Sequence, residues 1–297
     1  MVMVVGAGNA IFHPEGGRMA NCVAGEKKGG SMSNFVLGGN LGFALGPIVT
    51  AFAVLTWGLR GTTVLMIPTL ATVVIFFCLQ NKFVQLSKTA QNEVREKMAV
   101  SGQKDDWPAM LKLCVSIFSR SIVSGGLVTF IPLYWVGVLM QTQQQGSLMV
   151  TVIALSAAVA SFAGGRLADW AGFSRVIRIS FAAVFPLMIL IPLINNVLTA
   201  TLLVMPLALM LHLGHGPSVV LGQKYLPNRL GTATGVTLGL AVSVGGISAP
   251  VLGMIGDNFG LVTVLHVLAV ISLMGFLGTL LLKEPAVSPK ISGATGQ

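Results

Sequence analysis

The sequence predicts an all-α, polytopic helical membrane protein, and three observations carry that expectation. Of 297 residues, 54% are apolar and only 9% charged, and the mean hydropathy is +0.85, far from the mix of a water-soluble domain. Charge-poor apolar runs recur at bilayer-spanning length, about 20 residues each. The basic residues collect on one of the two sides of the membrane that those runs define.

The runs fall at Ser33 to Thr56, Thr62 to Leu79, Leu111 to Leu139, Ser147 to Ala163, Val176 to Ile194, Leu198 to Leu221, Thr232 to Ile255 and Leu261 to Leu282. They give eight complete spans. Met1 to Asn21 carries only a short apolar run before His13, Pro14, Glu15 and Arg18, without a basic leader or a cleavage site, so it does not read as a signal peptide. It reads as part of a ninth span.

Threading the spans places Lys27, Lys28, the Lys82 to Lys104 segment, Arg166, Arg175, Arg178, Lys224, Arg229, Lys283 and Lys290 on one side and only Arg60 on the other. The positive-inside rule makes the first side cytoplasmic, together with the C-terminus, in a cell inner membrane. The net charge of +9 is therefore topological and does not point to nucleic acid. A cysteine at Gln143 or Asn196 is expected to react with an impermeant reagent in intact cells, and one at Lys88 or Arg175 only after permeabilisation; labelling of position 143 only after lysis would reverse the topology. Cys22, Cys78 and Cys114 lack the spacing of a disulfide framework.

The polar stretch Asn81 to Trp107 divides the chain. Residues 1–80 read as the remaining part of an N-terminal helix bundle, 81–108 as a cytoplasmic linker with a short surface helix, 109–283 as a six-helix bundle and 284–297 as a cytoplasmic tail. The expected whole is a six-plus-six bundle lacking its first three spans and part of the fourth. Gly42-x-x-x-Gly46-Pro47 recurs as Gly245-x-x-x-Ala249-Pro250. Small residues four apart let helices approach closely, and a following proline interrupts the backbone ladder, so either copy alone is also explained by helix packing; the recurrence favours a duplicated fold.

The run Gly164-Gly165-Arg166-Leu167-Ala168-Asp169-Trp170-Ala171-Gly172, followed by Arg175 and Arg178, resembles the cytoplasmic loop motif of the major facilitator superfamily, in the copy between its eighth and ninth helices. Trp170 and Phe173 stand where that motif is usually basic. Gly42, Gly46 and Pro47 resemble the fifth-helix signature of the superfamily's proton-coupled antiporters. Gly6 to Arg18, with Phe12-His13-Pro14-Glu15 at its centre, and Leu221 to Gly231 are similar to the fourth- and tenth-helix ends of the fosmidomycin resistance family of exporters, with Lys224 where that family usually has an acidic residue.

The resemblance implies a central cavity lined by helices one, four, seven and ten. Charges within spans are costly and mark pathways. His13 and Glu15 become candidates for proton coupling, with an interfacial Glu15–Arg18 ion pair as the competing reading of the acid. Arg120, His212, His215 and Gln223 become candidates for the substrate pathway, Arg120 suiting a phosphonate or carboxylate. Gly165, Asp169, Gly172 and Arg175 would form a gate in which Asp169 meets the start of the fifth helix, near Gly30 to Ser33, in the other bundle. The implied partners are protons, a small molecule and the lipid bilayer, with no obligate protein partner.

The start of the chain also resembles a dinucleotide fingerprint, Gly6-Ala7-Gly8-Asn9-Ala10-Ile11, but Ile11 occupies its third small position and no βαβ unit follows. No cofactor, metal site or enzymatic activity is expected, since no nucleophile-base or metal-ligand constellation is visible. The expected activity is secondary active export of a small drug-like or anionic compound against inward proton flow; an inactive remnant or an assembly partner of a transporter is the alternative.

Overall fold

The computed structural model describes residues 2–22, 24–25, 27–101 and 104–284; Lys290 and the tail after Glu284 lie outside the described residues. Every regular element among them is helical. The order is α1 (Val2–Cys22), α2 (Lys28–Trp57), a 3-10 turn (Gly58–Leu65), α3 (Met66–Ser101), α4 (Trp107–Gly137), α5 (Gln143–Ala171), α6 (Phe173–Leu190), α7 (Val197–Leu213), α8 (His215–Tyr225), α9 (Leu230–Thr234), a π segment (Gly235–Leu240), α10 (Ala241–Phe259) and α11 (Leu261–Leu280).

Among the described residues 7 helical stretches are long and apolar enough to cross a bilayer. The first, Lys28–Leu86, contains two of the predicted spans, separated where Gly58 adopts φ +66, a value only glycine takes without strain. A Cβ at Gly61 would strike the Ala53 carbonyl, so the turn folds tightly onto the end of α2. The segment expected as a linker is helix, continuous with α3, as far as Ser101. Asp106 then caps α4, accepting from Ala109 N at 2.9 Å, while its own N–H donates to Tyr225 O at 2.8 Å.

Local signals set the other ends. Thr142 and Gln145 form a capping box at the start of α5, Asn196 caps α7 through Thr199 N at 3.0 Å, and Gly172 (φ +96) and Gly260 (φ +84) turn the chain into α6 and α11. The crossing made by α7 and α8 is broken at Gly214 because Pro217 has no N–H to give the Leu213 carbonyl. A Cβ at Gly164 of α5 would collide with that same carbonyl, so α5 lies directly against the break.

Two apolar clusters make the interior. One, around Met32, Leu113, Ile177, Val220 and Leu282, lies toward the Lys/Arg-rich end. The other, around Leu127, Trp135, Val204 and Leu268, lies toward the opposite end. Large apolar side chains such as Leu155, Val159, Phe162, Ile179 and Val270 are exposed on the outside, the inversion expected of a surface that meets hydrocarbon instead of water.

Candidate functional site: a central cavity and the seam that closes one end

A cavity of about 500 Å³ opens between α2, α4, α5, α7, α8 and α10, with Asn40, Ser121, Ser124, Thr129, His212 and His215 as its polar lining. None of its lining residues is acidic. His212 is fixed from both sides: Nδ1 bonds Ala208 O at 2.8 Å and Nε2 lies 3.2 Å from Ser124 Oγ. His215 opens α8 just beyond the Gly214 break, and its Nδ1 is buried without a partner.

Arg120, on the turn of α4 beside Ser121, is only 6% exposed. Its Nε has no hydrogen-bond partner, and none of the ion pairs among the described residues involves it. A buried guanidinium with no carboxylate is costly unless something else compensates it.

At the Lys/Arg-rich end, α2 and α5 are joined. Asp169 accepts from Gly29 N and Gly30 N at 2.8 Å each, using two of the donors that a helix start leaves unpaired. One turn inward, Gly165 N donates to Ser33 Oγ at 2.8 Å. A Cβ at Gly29 would strike Gly165 O, and one at Gly165 would strike Gly29 O, so neither glycine can be enlarged without parting the helices. Gly172 provides the turn after the motif, whereas Arg175 is exposed and takes no part in the clasp.

Gln223 is not among the residues lining the cavity. It is saturated elsewhere: Oε1 accepts from the Asn21 amide, and Nε2 donates to Thr234 Oγ1 at 2.8 Å and Gly17 O at 3.2 Å. It thereby ties α8 to α1 and α9. Glu15 lies on α1 in an ion pair with Arg18, its side chain 56% exposed, while His13 is half-buried against Phe12 and Phe35 with Nδ1 unpartnered.

A Cβ at Gly42 or Gly46 would meet nothing within 4 Å, and the Pro47 side chain lies outside the described residues. The second copy of that pattern behaves differently. A Cβ at Gly245 would come within 2.8 Å of Ser121 Oγ, which locks α10 onto α4 beside the cavity.

Sequence reasoning missed Glu284, which accepts from Phe173 N and Ser174 N at 3.2 and 2.8 Å and pairs with Lys224 at 3.8 Å. Lys224 also lies 4.0 Å over the Phe173 ring. The only advance sign was an acid just after the last apolar run.

The model of the Major Facilitator Superfamily matches residues 1–250. The chain belongs to that superfamily. Among curated members, it is 32% identical over 291 residues to an uncharacterized MFS-type transporter, YfnC, of Bacillus subtilis (strain 168), covering 94% of this chain and 69% of the relative. It is 26% identical over 277 residues to the fosmidomycin resistance protein of Escherichia coli (strain K12), covering 92% of this chain and 68% of the relative. Major facilitator proteins are multi-pass membrane transporters, and the cavity and seam described above are features of this transporter's own chain.

Proposed function

We propose that the protein exports a small anionic or amphipathic compound across the inner membrane, with inward proton flow as the driving force and the C-terminus in the cytoplasm. Arg120 is the observation that carries this reading: an interior cation with no ion-pair partner among the described residues, not itself in the cavity lining but next in sequence to the lining Ser121, suits a ligand that brings the negative charge itself. The name of the relative from Escherichia coli makes fosmidomycin the first compound to try.

In this reading the carriers of the coupling proton are on α1. Protonating Glu15 would release Arg18 from its ion pair, and His13 lies two residues away.

Everted membrane vesicles containing the protein are expected to accumulate fosmidomycin when their interior is made acidic, and to lose the accumulation when an uncoupler collapses the gradient. Glu15→Gln, which keeps the shape and cannot exchange a proton, is expected to abolish gradient-driven uptake while substrate exchange persists. Uptake indifferent to the gradient would refute proton coupling, and normal pH-dependent uptake by Glu15→Gln would leave Glu15 as an ion-pair residue only.

A further inference from the structure

The contact between α2 and α5 does not stop at Ser33. Asn40 Nδ2 donates to Ser161 Oγ at 2.6 Å and approaches Ala157 O at 3.4 Å. On α5 the partners Asp169, Gly165, Ser161 and Ala157 recur every fourth residue, one stripe of a helix. On α2 they are Gly29, Gly30, Ser33 and Asn40. The polar seam therefore runs from the basic end inward for about 17 Å, taking the eleven steps from Gly29 to Asn40 of α2 at about 1.5 Å each. Its inner end is different in kind, because Asn40 and Ala157 also line the cavity.

We infer that Asn40 is a positioning residue of the gate, a single amide that is both cavity wall and the last rung of the seam. The inference deepens the export reading above and rests on it, taking the protein to expose its cavity to the two sides of the membrane in turn. Opening the basic end requires α2 and α5 to part, and every rung adds to the cost of parting. The Asp169 rung lies in water-accessible surroundings, whereas at the inner rung the Ser161 hydroxyl is 1% exposed and the Asn40 amide reaches it from the cavity wall. Losing that bond should favour the open form. Any polar cargo seated in the cavity would have access to the same amide.

The test needs neither substrate nor gradient. Met32, fully buried in the apolar cluster at the seam, becomes the reporter as Met32→Cys in a Cys22→Ser, Cys78→Ser, Cys114→Ser background, and its rate of modification by a water-soluble maleimide measures how often the seam opens. Asn40→Val is expected to raise that rate about tenfold, the effect of one buried hydrogen bond, and Ser161→Ala should do the same through a milder change. The double swap Asn40→Ser with Ser161→Asn rebuilds the pair in reverse and should restore the rate to within about twofold. Ser243→Ala, whose hydroxyl bonds only its own helix, serves as the control.

Unchanged labelling in both Asn40→Val and Ser161→Ala, or failure of the swap to restore it in a protein of normal thermal stability, overturns the inference. Asp169→Asn separates the levels: if it accelerates labelling and the Asn40 variants do not, the inner rung fails alone, and if neither does, the gate itself fails.

Discussion

Asp169→Asn is expected to shift the transporter toward a form open at its Lys/Arg-rich end by about thirtyfold. The carboxylate accepts two backbone N–H groups at 2.8 Å from the start of α2, where the helix dipole adds to the attraction for an anion. It also lies in the last turn of α5, where the dipole of its own helix disfavours negative charge. Asp169 is thus poorly placed for α5 and well placed for α2, and the closed arrangement is what reconciles the two. Asparagine keeps one acceptor and turns an NH₂ group toward the second N–H. The loss is about 2 kcal/mol, which converts to a thirtyfold change in a two-state balance. Distances between spin labels at Lys27 and Arg175, both exposed, should gain a long component by double electron–electron resonance. An unchanged distribution would remove Asp169 from the gate.

Arg120→Gln is expected to act in opposite directions on folding and on transport. Removing a buried charge that no carboxylate among the described residues pairs with relieves a desolvation cost, so the melting temperature in detergent should rise. The same change removes the cation that would hold the ligand, and apparent affinity for an anionic cargo should fall on the order of a hundredfold, about 3 kcal/mol. Arg120→Lys retains charge without the planar fork and should fall between. Vesicle uptake against concentration, paired with thermal unfolding, reads both; a lower melting temperature together with unchanged affinity would make Arg120 a structural residue.

The all-helical membrane fold was legible because lipid imposes it on composition. Long uncharged runs and one-sided basic loops leave few other solutions. The loop motif was legible as well: Asp169 and the glycines around it are adjacent in sequence, and the resemblance they carry pointed Asp169 to a helix start near Gly30 to Ser33, where it accepts from Gly29 N and Gly30 N. Harder to read were pairs formed between distant helices. Asn40 with Ser161, Gln223 with Asn21 and Thr234, and Glu284 with the start of α6 join residues that carry no joint pattern along the chain. Gln223 illustrates the difficulty, because a polar side chain inside an apolar span announces that it has a partner without saying whether that partner is protein or cargo. The extent of α3 was not legible either: polar composition marked residues 81–108 as a linker with a short surface helix, and a helix can run on from an apolar stretch into a polar one without ending, as α3 does to Ser101.

Gly164 and Gly165 stand next to each other on α5 and face different neighbours. Gly164 abuts the Leu213 carbonyl at the break between α7 and α8, and Gly165 abuts Gly29 and Ser33 across the seam. A bundle that moves as a rigid body keeps the first contact in every conformation and makes the second in only one. A side chain added at Gly164 thus raises the free energy of all conformers alike and cancels out of their ratio, leaving a cost in abundance. The same atoms added at Gly165 burden one conformer alone and appear as altered timing of the transport cycle.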